Sequence, residues 1–249
     1  MDLISASTLS AKNLTPPPQI VKGCISVGYN ILAAPPKAGK SWVSLGLALA
    51  VARGTEAFGV LKTKRCPVLY IALEDHEYRL QNRLRMIGGK LAMPENLYFC
   101  TYLEKLADKG IEDLHTKMHE HGFGFVIIDT LGKVLDEKKG DLYQEDYMVG
   151  AALQDVAFSA NAAILGVHHT NKTKGAGIGA VSGTFGVSAA ADAVIVMNRT
   201  NSEREPPAAR LAVTGRDVED KTVDLEWYPP EGGWVSPRRT KALPPQVYA

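Results

Sequence analysis

Short apolar runs alternate along the chain with longer stretches in which apolar residues recur at helical spacing. The runs Tyr29–Ala33 (YNILA), Pro67–Leu73 (PVLYIAL), Leu97–Cys100, Phe123–Asp129 (FGFVIID) and Ala162–Val167 (AAILGV) predict buried strands. Helices are predicted for Trp42–Ala52 (WVSLGLALAVA), His76–Ile87 (HEYRLQNRLRMI), Ile111–His121 and Gln144–Ser159. Two of these meet glycine stops, at Gly88-Gly89 and at Gly122, and Asp75 stands where it would cap the helix that begins at His76. Strand, helix and strand at this spacing imply right-handed crossovers. The expected fold is α/β, with a mostly parallel central sheet and helices on both faces.

After Asn171 the pattern changes. Residues 171–189 (NKTKGAGIGAVSGTFGVSA) are rich in Gly, Ser and Thr without a strong period, which marks a functional or mobile loop. Strand signals return at Ala193–Met197, Arg210–Thr214, Thr222–Trp227 and Trp234–Val235 with short connections, so these predict an antiparallel extension at the C-terminal end of the sheet. The Pro229-Pro230-Glu231-Gly232-Gly233 stretch reads as the turn between the last two. Residues 1–22 end in Pro16-Pro17-Pro18 and read as an arm that packs on a neighbour or stays loose. The segment 236–249 reads as a flexible tail, which leaves 23–235 as one domain.

Composition narrows the class without deciding it. The 249 residues are 45% hydrophobic and 22% charged, ordinary for a globular protein. A net charge of +1 excludes a histone-like blanket of charge but not a local basic groove. Cys24, Cys66 and Cys100 are scattered, without a C-x-x-C pair, as suits buried thiols in a reducing cytosol. The first residues (MDLISASTLSAKNL) carry no secretory signal pattern, and no apolar stretch approaches membrane-spanning length, so a cytoplasmic protein is expected.

The chemistry begins at Ala34–Ser41 (APPKAGKS), between a predicted strand and a predicted helix. A turn that ends in Gly-Lys-Ser at that junction is a phosphate cradle, with backbone N–H groups and a helix N-terminus meeting a triphosphate. Ala34, Pro35, Pro36, Lys37, Ala38, Gly39, Lys40, Ser41 and Trp42 are the candidate nucleotide-binding residues. Lys40 would reach the β- and γ-phosphates and the Ser41 hydroxyl would bind Mg²⁺. Ala34 stands where the motif has its first glycine, and its methyl group is tolerable if φ stays negative.

Phosphoryl hydrolysis also needs a carboxylate near the metal and a group to orient water. Asp129 ends the strand FVIID and is the candidate second Mg²⁺ ligand; Glu74, at the end of VLYIALED, is the candidate general base. His168 and His169 follow the strand AILGV, where an imidazole can sense the γ-phosphate. Arg216, in LAVTGRDVED, either stabilises transferring phosphoryl oxygens or pairs with Asp217, Glu219 or Asp220. An arginine finger is worth ~10³–10⁵ in rate, so the first role would dominate where geometry permits. Lys172 and Lys174, with Gly175 and Gly177, form a candidate DNA-contacting loop. Arg79, Arg83 and Arg85 read as a charged helix face, and His115 and His119 as a solvated one.

In order along the chain, AAPPKAGKS, YIALEDHEYRL, IIDTL, GVHHTNK, SGTFGVSAAAD and LAVTGRD resemble RecA-like P-loop ATPases, most closely the RepA-type hexameric replicative helicases of plasmids, phages and mobile elements. The resemblance covers roughly residues 20–228. It implies a RecA-like fold, ATP and Mg²⁺ as cofactors, and Lys40 and Ser41 on phosphate and metal. It further implies Glu74 as catalytic glutamate, Asp129 as Walker B acid, His169 (or His168) as sensor, and Arg216 reaching the next subunit's site. The implied partners are single-stranded DNA, gripped by the 171–189 loop, further copies of the chain in a hexameric ring, and replication proteins. The alternative reading is a RecA-like regulatory or loader ATPase that binds nucleotide without unwinding. A small-molecule kinase would need a lid and an acceptor pocket that no stretch suggests.

Overall fold

The computed structural model describes residues 3–89, 91–135, 142–170, 186–201, 207–228 and 233–240. Strands β1 (Gln19–Val21) and β2 (Ile25–Ser26) form a small antiparallel pair. They lead into β3 (Gly28–Ala34), followed by α2 (Lys40–Arg53), β4 (Val68–Ala72), α3 (Glu77–Gly88), β5 (Leu97–Cys100), α4 (Ile111–His121), β6 (Phe125–Asp129), α5 (Leu142–Ser159) and β7 (Ala163–His169); a short helix α1 (Ala6–Ser10) precedes them. The chain continues with β8 (Ala193–Asn201), β9 (Ala208–Gly215), β10 (Lys221–Tyr228) and β11 (Gly233–Val235). Among the described residues one sheet runs β11-β10-β9-β8-β3-β7-β6-β4-β5. From β8 to β5 every neighbouring pair is parallel, and β9, β10 and β11 extend the sheet antiparallel.

Both faces of the parallel part are covered, which explains why its strands read as unbroken apolar runs. Side chains alternate between faces along a strand, so one set meets α2 and the other meets α4 and α5. Leu32, Ala34, Val68, Tyr70, Phe125, Ile127, Leu165 and Val167 pack with α2 residues such as Leu45, Leu47 and Ala48. Ile31, Ala33, Leu69, Ile71, Val126, Ile128 and Ile164 pack with Leu114, Met118 and Leu153 of the opposite layer. Helix α2 is buried on nearly all sides, from Val43 to Ala52, because β11 closes over it. Its burial explains why its sequence shows little polar face.

Residues 19–21, which the sequence reading gives to the N-terminal arm, belong to the folded body: Ile20 and Val21 are buried. The rest of the arm carries α1, capped by the Ser5 hydroxyl, and exposes Leu3, Ile4, Leu9 and Leu14. No helix among the described residues is long and apolar enough to cross a membrane. The expected turn at 229–232, and the tail beyond a short helical turn at Pro237–Thr240, lie outside the described residues.

Candidate functional site

Between β3 and α2 the chain turns through left-handed backbone at Lys37 (φ 62°) and Gly39 (φ 105°). Ala34, as the last residue of β3, keeps extended backbone, so the missing first glycine costs the turn nothing. Gly39 is required twice: its φ suits glycine, and a Cβ there would lie 3.0 Å from Trp234 Nε1. No side chain caps the first turn of α2; Trp42 N and Val43 N donate to Gly39 O, which leaves the N–H groups of Lys40 and Ser41 for an anion. Lys40 is 5% exposed, and its Nζ donates to Ala34 O and Pro35 O at 2.9 Å each.

The same Nζ lies 3.0 Å from His169 Nδ1. Burial pushes the Lys40 ammonium down to about 8, with the Asp129 and Glu74 carboxylates opposing. Burial and the Lys40 charge likewise hold His169 below its usual range, so the ring is neutral at pH 7. A lysine ammonium has only donors, so Nδ1 accepts, and the ring proton sits on Nε2, 3.8 Å from Glu74 Oε1. At neutral pH that contact is therefore not an ion pair.

Asp129 continues the Phe125–Ile127 face and emerges under α2, 4% exposed. Its Oδ2 accepts from the Tyr70 hydroxyl at 2.6 Å, Tyr70 Oη lies 2.9 Å from Ser44 Oγ, and Ser44 Oγ donates to Ser41 O at 3.2 Å. Burial holds the Asp129 carboxyl above the usual range, and the Tyr70 and Ser41 hydroxyls pull it partly back. Its Oδ1 is buried without a hydrogen-bond partner among the described residues. An orphaned carboxylate oxygen near a serine hydroxyl is an oxygen donor set that fits Mg²⁺, a hard cation that keeps most of its ligands as water and phosphate. One strand over, Glu74 Oε1 accepts from Thr130 Oγ1 at 3.1 Å.

Around these groups lies a cavity of about 380 Å³. Lys37, Gly39, Lys40, Ser41, Glu74, Thr130 and His169 supply polar groups and backbone to its lining. Trp42, Arg83, Arg199, Pro207, Trp227 and Trp234 complete the lining. His169 shares the α2 face with Leu165 and Val167, whereas strand alternation turns His168 to the opposite face. Only the second of the two candidate histidines reaches the cavity.

Arg216 does not join this site. Because β9 runs antiparallel to β8, its C-terminal end lies at the opposite sheet edge, with Gly215 paired to Ala193 and Ala193 to Asn30. From Asn30 to Ala34 the strand advances about 13 Å. There Arg216 contacts Asp192 Oδ1 at 3.5 Å, not the nearby acids Asp217, Glu219 or Asp220 considered from sequence. Asp192 is buried and also accepts from Tyr29 N and Gln154 Nε2. Lys172, Lys174, Gly175 and Gly177 lie outside the described residues.

Two sequence expectations are corrected. His76, not Asp75, caps α3, accepting from Arg79 N. Asp75 instead pairs with Arg79 and Arg83. Arg83, expected only as part of a charged helix face, lies over the Trp42 ring and lines the cavity. Tyr70, Arg199, Trp227 and Trp234 were not singled out; a signal existed for Arg199 and Trp227, which continue the inward alternation of Ile195–Met197 and Val223–Leu225.

A family model described as AAA domain matches residues 3–175. No curated protein matches the chain. A solved structure of a DnaB-like replicative helicase, described with its interactions with primase, is similar at a TM-score of 0.66 and 13% identity. The alignment covers 92% of this chain and 66% of that one, so this chain spans less than two thirds of its length. At that identity the likeness shows the fold: this chain has the RecA-like P-loop fold, with a mostly parallel sheet, helices on both faces and extra antiparallel strands.

Proposed function

The chain belongs to the AAA domain family, and on that premise we propose that it is an ATP-hydrolysing, ring-forming DNA motor, a replicative helicase that translocates on single-stranded DNA. The observation that carries the reading is the division of the machinery between two sheet edges. Lys40, Ser41, Glu74, Asp129 and His169 meet at one edge, while Arg216 stands exposed at the other. An Arg216 that acts on a triphosphate therefore acts in another copy's site, and repeated head-to-tail contacts of that kind close into a ring when the rotation between copies closes.

The triphosphate is bound by the turn at 35–39 and the first turn of α2, and Lys40 exchanges its carbonyl partners for phosphate oxygens. Ser41 and Asp129 would hold Mg²⁺, which neutralises charge on the β- and γ-phosphates. Glu74, held by Thr130, accepts a proton from the attacking water. The neighbouring copy's Arg216 stabilises the charge that develops. His169 lies between Lys40 and Glu74, so loss of the γ-phosphate changes its partners and passes to the following segment, where Lys172, Lys174, Gly175 and Gly177 grip DNA phosphates.

The test is a mixing experiment. Glu74→Gln and Arg216→Ala should each bind ATP and hydrolyse it at least about 10³-fold slower than the parent. Mixed, they form some interfaces with an intact Glu74 and an intact Arg216, so activity partly returns, and single-stranded DNA stimulates it. An Arg216→Ala protein with full activity, or a mixture no better than its parts, refutes the shared site.

A further inference from the structure

All three tryptophans of the chain, at positions 42, 227 and 234, line the cavity. Trp42 follows the P-loop serine, Trp227 ends the inward face of β10, and Trp234 lies in β11. Trp42 and Trp227 meet edge to face at 4.9 Å and 81°, and Trp227 and Trp234 at 5.7 Å and 84°. The Arg83 guanidinium lies 5.3 Å from the Trp42 ring centre and is anchored by Asp75. Trp227 and Trp42 remain partly open, so the corner has aromatic faces to offer.

Hydrophobic closure over α2 does not account for one feature. Trp234 is 5% exposed, and its Nε1 donor is buried without an acceptor among the described residues. Leaving such a donor orphaned is costly, and tryptophan N–H groups ordinarily find a partner when buried. This one abuts Gly39, within the turn that receives phosphate.

We infer that Trp42, Trp227 and Trp234 form the nucleoside wall of the site: the base stacks in the corner of Trp42 and Trp227, and the Trp234 indole donates to an oxygen of the bound nucleotide. The inference rests on the P-loop reading above and adds what holds the end of the ligand that carries no phosphate. Stacking of a base on an aromatic ring is worth roughly 5- to 150-fold in affinity, taken from about 1–3 kcal/mol per base.

The experiment compares a nucleotide with a ligand that has the phosphates and no base. Mg·AMPPNP and Mg·tripolyphosphate are titrated by calorimetry into the parent, Trp227→Phe, Trp227→Ala and Trp234→Phe, with circular dichroism to show that each is folded. The parent should bind AMPPNP at least about tenfold tighter than tripolyphosphate. Trp227→Ala should lose about tenfold for AMPPNP and less than twofold for tripolyphosphate, and Trp227→Phe should recover most of the loss. Trp234→Phe keeps the ring, drops the N–H and should weaken AMPPNP several-fold. Equal weakening of both ligands, or no weakening of AMPPNP in any variant, overturns the nucleoside wall and leaves the P-loop standing. If the parent binds neither ligand, the nucleotide site itself fails and the wall with it.

Discussion

Raising the pH from 7 to 9 should weaken nucleotide binding about tenfold, because of a single group. The Lys40 ammonium is pushed down to about 8 by burial, while a bound triphosphate would hold its proton well above that value. A lysine with a lowered pKa is charged below pH 8 and progressively neutral above it, and the phosphates bind the charged form. The penalty is a factor of 1 + 10^(pH − 8), so at pH 9 the affinity falls roughly tenfold relative to pH 7, about 1.4 kcal/mol. Other groups with resolved shifts stay out of this window. His169 is held below its usual range and is already neutral, Cys24 is pushed up to about 12 and Cys66 to about 11, and Tyr70 lies well above 10. The phosphate oxygens are themselves ionised above about pH 7. Calorimetry with a non-hydrolysable ATP analogue, in two buffers of different ionisation enthalpy, reads both the affinity and the proton taken up. At pH 8.5 uptake should approach about three quarters of a proton per nucleotide. A flat affinity from pH 7 to 9 with no proton uptake would refute the argument that Lys40 is desolvated in the empty site.

Two further substitutions probe the groups behind the site. Tyr70→Phe removes the 2.6 Å donor to Asp129 without opening a cavity, and should cost about 1.5–3 kcal/mol in urea unfolding at pH 7. That bond favours the charged carboxylate, so the loss shrinks as the pH falls and Asp129 takes a proton; a loss that does not vary with pH would mean the bond is not to a carboxylate. Gly39→Ala places a Cβ against Trp234 at φ 105°, which should cost about 1–3 kcal/mol and abolish binding of the ATP analogue by a still-folded protein. Normal binding by Gly39→Ala would show that the turn relaxes.

The strands, the helices and the turn between β3 and α2 were legible because each is local. A buried parallel strand must be apolar on both faces, and the Gly39-Lys40-Ser41 turn needs its residues in succession. Strand alternation was enough to aim Asp129 and His169 at the α2 face once α2 was placed above them. The order of strands was not legible, since β7 lies between β3 and β6 while the chain visits them otherwise. Asp75 looked like a helix cap because a cap is judged locally, whereas its partner Arg83 comes from two turns along α3. The direction of β9 alone sends Arg216 away from its own P-loop, and the return of β10 brings Trp227 to the cavity. Periodicity records which face a residue occupies; which edge of the sheet it reaches, and what it meets there, depends on strand pairings between residues far apart in the chain, and those only the packed structure decides.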